Sequence, residues 1–427
     1  MQEQDLSGSG GGSADSPRQL QAVARIAYLL NSPLPLGELL RELVTLAAQV
    51  VQAEAASLFR LDPSRNELVF DVVTGPQQQA LTRKRLPVGL GVAGWVAQQR
   101  AAVTVPNVQA DGRFYPAFDV ELGFQTKNLL VVPMFLRGEL TGVLEAVNRK
   151  GETAFTPEDE LVLTTFASQA AIAIDNARMQ AELLEKARLE QELAIAARMQ
   201  ADLLPKRMPD LPGYDLAARM VPSETIGGDF YDFIPIAHDH VGITVADGAG
   251  KGIPGALLMA LTRSALNVQV TTAYAVRDII AKLNNHLASE TAPHLFVTLF
   301  YGALDIPGRR LTYTNAGHPA GLLLRGEGCR RLETGGPLLG VIPGESYEEE
   351  QVRFLPGDLL ALYSDGVTEA MDPSGEAFSE NRLVAALRAS AHLPAAQIVR
   401  RVHDEVTRFI GGRSFADDFT LLIVKVL

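Results

Sequence analysis

The sequence predicts an α+β protein built as two domains joined by a long helix. Three features of the 427 residues carry that reading. Up to about residue 155, amphipathic helices give way to strand-and-hairpin patterns. From Pro157 to Leu204 neither proline nor glycine interrupts the chain. From Leu216 to Leu427 strand patterns dominate, with helices gathered into patches, which is the signature of two packed sheets flanked by helices.

Residues 1–17 contain SGSGGGSADS and are too polar and glycine-rich to order themselves, so a disordered tail is expected. Helical periodicity begins at Leu20, and LGELLRELVTLAAQVVQ (36–52) forms a second amphipathic helix. AASLFRLD, the polar turn PSRNE and LVFDVVTG make a hairpin. AAVTVPNV and NLLVVPMFLRGELTGVLEAVNRK supply further strands. The long helix starts with Thr156 as N-cap candidate, Pro157 at the first helical position, and early acids. At ~1.5 Å per residue it would reach roughly 70 Å. Its latter part places Leu189, Leu193, Ala196, Gln200 and Leu203 at 4-3-4-3 spacing, a short coiled-coil seam that predicts a homodimer or a signalling linker. LLPKRMPDLPGYD, with three prolines, marks the next boundary. The expected domains are therefore the tail at 1–17, a sensor-like domain at 18–178, a helical linker at 179–205, and a second domain at 206–427.

In that last domain, strands are expected at 229–236, 241–247, 295–305, 310–314, 320–324, 357–363 and 419–426. Helices are expected at 254–268, 275–289 and 380–409. Composition narrows the function. The chain is 47% hydrophobic and 21% charged, with a net charge of −12, which argues against an electrostatic grip on nucleic acid. One cysteine, Cys329, leaves no disulfide framework and no Cys-rich metal site. No apolar run approaches the ~18 residues of a membrane span, and the N-terminus lacks a secretory pattern, so no membrane and a cytoplasmic location are expected.

VADGAGKG (245–252) resembles a phosphate cradle but fails as a P-loop. The first glycine would fall on Val245, and the Ser/Thr position holds Gly252. What remains is Asp247 at a strand tip. In GGDFYDFIPIAHDHVGITVADGAG two alternating strands flank a turn near His238, and in that register Asp229 faces Asp247. Opposed carboxylates repel unless a positive charge lies between them, and a divalent cation is the usual remedy. Asp365 follows the strand DLLALYS, and Asp417-Asp418 precede FTLLIVKVL. An acid beside glycine at a strand tip is also ordinary turn chemistry. Four such places in one domain point instead to an all-oxygen site for Mg²⁺ or Mn²⁺. Lys251 reads as a solvated loop residue.

GGDFYDF, ADGAGKGIPGALLMA, FVTLFYGALD, NAGHPA, LYSDGVTEA and DDFTLLIVKV, in that order, resemble the SpoIIE/RsbU-type branch of the metal-dependent PPM (PP2C-like) serine/threonine phosphatases. The resemblance spans about 200–427. It implies an α-β-β-α sandwich holding two Mn²⁺ or Mg²⁺ between its sheets. By position Asp229, Asp247 and the Gly248 carbonyl would bind the metals, with Asp365 and Asp417 completing the second site and Asp418 the weaker alternative. Asp229, Asp247 and Asp365 would be the catalytic acids. The family's larger relatives have His where this chain has Ala249, and a phosphate-binding Arg that PSETIGGD lacks. His318 is then a candidate general acid, with a structural role equally open. The resemblance further implies a phosphorylated (Ser/Thr) partner of the STAS-type anti-sigma-factor-antagonist class.

The first domain resembles a GAF domain over about 20–180, carried by ASLFRLD, PVGLGVAGWVAQQR and VVPMFLRGELTGVLEAVNR. That implies a small-molecule ligand or a dimerisation role. Asn148-Arg149, Phe155 and Asp159-Glu160 are similar to the N-K-F-D-E signature of cyclic-nucleotide GAF domains, with Arg in the Lys place; the same acids also suit a helix N-terminus. Residues 1–237 contain neither His nor Cys, which excludes thiol-attached bilins and His-ligated haem there. Two rival readings remain. GGDFY is similar to the GGDEF of diguanylate cyclases but has Phe230 where Glu is required. Ala249 keeps a catalytically weak scaffold in view.

Overall fold

The computed structural model describes residues 24–29, 32, 34–75, 81, 83–151, 154–237, 239–271, 275–292 and 294–427. The expected disordered tail at 1–17 lies outside them. The chain falls into two compact units that divide between Lys186 and Ala187.

The first unit contains α1 (Leu36–Val50), β1 (Ala53–Asp62), β2 (Glu67–Val73), β3 (Arg85–Pro87), α2 (Gly91–Gln99), β4 (Val103–Val105), α3 (Ala117–Leu122), β5 (Leu129–Leu136) and β6 (Glu139–Arg149). The strands form one six-stranded sheet in the order β3-β2-β1-β6-β5-β4. Period-two alternation gives the sheet two apolar faces. On one face Leu58, Leu130, Val132 and Leu144 pack with Leu40, Leu43 and Ala47 of α1, and with Leu163, Phe166 and Ala170 of the long helix. On the other face Phe59, Val131, Val143 and Val147 pack with Val92 and Val96 of α2.

The long helix, α4, runs unbroken over Pro157–Leu203. Its start is a capping arrangement: Thr156 Oγ1 accepts from the Asp159 amide at 3.3 Å, and Asp159 Oδ2 accepts from the Thr156 amide at 2.9 Å. Along its second half Leu183, Leu184, Leu189, Ile195 and Met199 are exposed.

The second unit contains β7 (Tyr214–Val221), β8 (Phe230–Ala237), β9 (His240–Gly248), α5 (Ile253–Val270), α6 (Val276–Glu290), β10 (Val297–Asp305), β11 (Arg310–Ala316), β12 (Gly321–Arg325), β13 (Gly328–Leu332), β14 (Gly335–Gly336), β15 (Glu350–Arg353), β16 (Leu359–Tyr363), α7 (Asp365–Thr368), α8 (Ser379–Ser390), α9 (Ala395–Phe409) and β17 (Phe419–Val426). One sheet has the order β14-β11-β10-β9-β8, with β15 also on β11; the other is β13-β12-β16-β17-β7. The strands β7, β13, β14 and β15 go beyond the sequence expectation. The helical stretch expected at 380–409 is two helices, broken around Pro394.

Alternation along β9 shows how the layers arise. Val241, Ile243 and Val245 join the core between the sheets, which also holds Phe300, Tyr313, Leu360, Leu422 and Val424. Ala246 faces the other way, towards Leu258 and Leu266 of α5 and Ile280 and Leu283 of α6. Across the second sheet, Leu421 and Ile423 pack on Leu387 of α8 and Ile398 and Val402 of α9. The result is the four-layer α-β-β-α sandwich.

Candidate metal centre

β8 and β9 pair in the register expected from the alternation. Phe230 pairs with Ala246 and Tyr231 with Val245, so the next step outward sets Asp229 against Asp247. Beyond that step the Gly248 amide donates to the Gly228 carbonyl at 3.2 Å. A Cβ on Gly228 would run into the Gly248 carbonyl oxygen, so glycine is what lets these two backbones approach. The following turn needs Gly250 and Gly252 in the left-handed region, with φ of 102° and 65°.

Asp229 is buried, and its Oδ2 accepts a 2.6 Å bond from Thr420 Oγ1 of β17. Burial pushes its carboxyl far above the usual range; Asp247 adds to the rise, while Ser364 and Thr420 oppose it. Asp247 is pushed up to about 7, first by burial and then by Asp365 and Asp417. Asp365, the first residue of α7, is raised by burial, Glu369 and Asp417, with Lys251 pulling the other way. Asp232, the neighbouring acid of β8, differs: Arg263 of α5 pairs with it at 2.9 Å.

The two acids of the DDF segment part company. Asp418 turns inward and is saturated with hydrogen bonds: Oδ1 accepts from the Ser223 amide (2.8 Å) and hydroxyl (3.0 Å), and Oδ2 from the amides of Gly228 (2.7 Å) and Asp229 (3.3 Å). It fixes the loop that delivers Asp229. Asp417 is half-exposed and lies 3.2 Å from Lys251 Nζ, which also donates to the Ala416 carbonyl. Lys251 is exposed, as expected of a solvated loop residue, and its ammonium also pairs with Asp417, a contact between segments that sequence spacing does not encode.

The donor set suits hard divalent cations. Asp229, Asp247 and Asp365 supply oxygen only, and among the described residues none of them has a Lys, Arg or His ion-pair partner. Among the described residues, no three His, Cys, Asp or Glu side chains already form a closed cage.

His318, the candidate general acid, lies in a structural setting. It is buried, and its Nδ1 is 2.8 Å from Thr298 Oγ1. Burial pushes the imidazole down to about 3, against the Tyr363 backbone, which pulls it up. The Asn315 side chain bridges the His318 amide (2.7 Å) and carbonyl (2.9 Å), so the NAGHP segment is a structural turn.

Two site-supporting residues escaped the sequence reading. Thr420 is a polar interruption of the FTLLIVKV run, a signal that could have marked it. Gln200 has the spacing of a polar position in a coiled-coil seam, yet it is buried and bonded to Gly227, two residues before Asp229.

Comparison with known proteins agrees with this architecture. Residues 35–174 match the GAF domain family, and residues 237–427 match the family of stage II sporulation protein E (SpoIIE). Protein IcfG of Synechocystis sp. is 30% identical over 251 residues, covering 52% of this chain and 39% of that protein. Phosphoserine phosphatase RsbU of Bacillus subtilis is 27% identical over 275 residues, covering 63% of this chain and 81% of that protein. The solved SiaA-PP2C domain of Pseudomonas aeruginosa shares the fold with a TM-score of 0.52 at 23% identity, covering 57% of this chain and 99% of that domain. Among the described residues no helix is long and apolar enough to cross a membrane.

Proposed function

We propose that this chain, which joins a GAF domain to a SpoIIE-type PP2C-like domain, is a metal-dependent protein serine/threonine phosphatase. The observation that carries the reading is the buried Asp229 facing Asp247, with Asp365 and Asp417 within electrostatic reach and, among the described residues, no cationic side chain bonded to the pair. Asp229, Asp247, Asp365, Asp417 and the Gly248 carbonyl would hold two Mn²⁺ or Mg²⁺. Bound there, the cations would lower the pKa of water and neutralise phosphoryl charge. The chain's own residues keep the donors in place: Thr420 and the Asp418-braced loop hold Asp229, and α7 presents Asp365. Ala249 in the metal loop and the buried His318 favour solvent as the source of the leaving-group proton.

The substrate class we favour is a phosphoserine or phosphothreonine on a STAS-type anti-sigma-factor antagonist, supported by the likeness to the phosphoserine phosphatase RsbU. The exposed leucines of α4 favour a homodimer through that helix, the arrangement by which the GAF domain would regulate turnover. The test is Mn²⁺-dependent hydrolysis of p-nitrophenyl phosphate by the full chain, followed by release of phosphate from a phosphorylated STAS protein. A folded protein inert towards both at saturating Mn²⁺ would return the chain to the scaffold reading.

A further inference from the structure

A cleft with about 810 Å³ of empty space, part of it open to solvent, lies on the α2–α3 side of the first unit's sheet. Its walls are largely apolar, with the aromatic rings of Phe59, Phe70, Tyr115, Phe118 and Phe124 among them. Glu145 lies in β6 between Val143 and Val147 on the same face, opposite Ser57 of β1 and Val131 of β5, and it lines the cavity. Among the described residues its carboxylate has no hydrogen-bond or ion-pair partner. A second acid, Asp119, lines the same space and is held by the Thr126 amide (2.8 Å) and hydroxyl (2.7 Å). No described lining residue is Lys, Arg or His.

We propose that this cavity binds a small organic cation, an ammonium or amidinium carried on a flat apolar body, whose charge Glu145 receives. Glu145 is partly buried on an apolar face of β6, and a carboxylate there without a protein partner favours a ligand that brings donors or positive charge. Aromatic walls favour the same charge, because ring faces attract cations. Burial, with Asp119 nearby, pushes Glu145 up to about 7, so the free cavity holds a carboxyl poised to ionise when a cation enters. A cyclic nucleotide is the opposite case, since its phosphate would meet two acids. The residues similar to the cyclic-nucleotide signature do not line the cavity: Arg149 pairs with Asp159 at 2.9 Å, and Asn148 bonds to Glu54 and to the Gln125 carbonyl. The first turn of α2, Gly91–Ala93, also lines the cavity and its amides would welcome an anion, so cyclic nucleotides form the opposing arm of the test.

This inference goes beyond the phosphatase reading and does not depend on it, because the readout is binding. The full chain at pH 8 is titrated calorimetrically, and scanned for thermal stability, with benzamidine, phenethylammonium, the neutral isostere benzamide, cAMP and cGMP. Benzamidine or phenethylammonium is expected to bind and raise Tm, and benzamide to bind at least tenfold more weakly than benzamidine. Glu145→Gln, which keeps the shape, is expected to reduce cation binding at least tenfold without lowering the ligand-free Tm. The proposal is overturned if benzamide matches benzamidine, if cation binding survives Glu145→Gln, if a cyclic nucleotide binds the wild type more tightly than either cation, or if neither cation binds. The benzamidine–benzamide comparison needs no variant, so it stands even if Glu145→Gln misfolds.

Discussion

The side chain of Gln200, in the last turn of α4, clamps the backbone of Gly227. Its Nε2 donates to the Gly227 carbonyl at 2.5 Å, and its Oε1 accepts from the Gly227 amide at 3.1 Å. Gly227 in turn lies against Asp418, where a Cβ would strike the carboxylate. The helix end, the loop before Asp229 and the Asp418 brace are therefore one bonded unit.

Replacing Gln200 by Ala leaves the two Gly227 groups buried and unpaired, at a cost of about 1–3 kcal/mol in stability. Slackening of the Asp229 loop should also lower kcat on an aryl phosphate by roughly tenfold, equivalent to about 1.4 kcal/mol at the transition state. Thermal melts and steady-state kinetics at saturating Mn²⁺ check both. A variant that melts lower but turns over normally would confine Gln200 to a packing role.

The clamp also sets the size of the catalytic unit. A fragment starting near Met208 contains all the candidate ligands but lacks Gln200, whereas residues 187–427 form a complete compact unit. The longer fragment is expected to hydrolyse p-nitrophenyl phosphate with near full-length kcat, and the shorter one to be both less stable and slower. Equal activity in the two fragments would show the clamp to be dispensable.

Asp247→Asn should abolish Mn²⁺-dependent turnover while stabilising the metal-free protein at neutral pH. The sign follows from linkage. Asp247 has its folded pKa raised to about 7 from the model-peptide value of 3.8, so the folded state binds more protons than the unfolded state between those values. The stability Asp247 contributes when protonated is present below pH ~4 and is lost as pH rises to ~7. In EDTA, the advantage of Asp247→Asn over wild type should be near zero at pH 4 and reach about 1 kcal/mol or more by pH 7. Urea midpoints across that range measure it, and an advantage that shrinks with rising pH would contradict the assigned environment.

The neighbouring acids Asp417 and Asp418 should separate cleanly. Asp418→Ala strips acceptors from the amides of Ser223, Gly228 and Asp229 and should destabilise the domain by about 3 kcal/mol or more. Asp417→Ala removes a half-exposed ion pair with Lys251 and should change stability by less than about 1 kcal/mol, while raising the Mn²⁺ concentration needed for activity at least tenfold. Melting temperatures together with Mn²⁺ titrations of turnover distinguish the two. If Asp417→Ala left the Mn²⁺ dependence unchanged, Asp417 would not be a ligand.

What the sequence determined by itself is what short-range pattern encodes. Period-two alternation and a tight turn set the β8–β9 register, so Asp229 could be placed against Asp247 from spacing alone. The absence of helix breakers placed α4, and the run of strands with segregated helices placed the four-layer sandwich. Tertiary structure alone decided the contacts between distant segments. Asp418 meets Gly228 across 190 positions, and no periodicity distinguishes it from Asp417 beside it. Only packing reveals that one carboxylate is enclosed by backbone amides while the other reaches Lys251. The same holds for Gln200, whose heptad spacing fits a seam equally well. It holds too for Glu145, which looks like one polar residue in a strand until the sheet and helices enclose a cavity around it. Local pattern fixes which face a residue takes; what waits on that face depends on chain closure over long separations, where the burial of charge and the satisfaction of backbone groups are settled together.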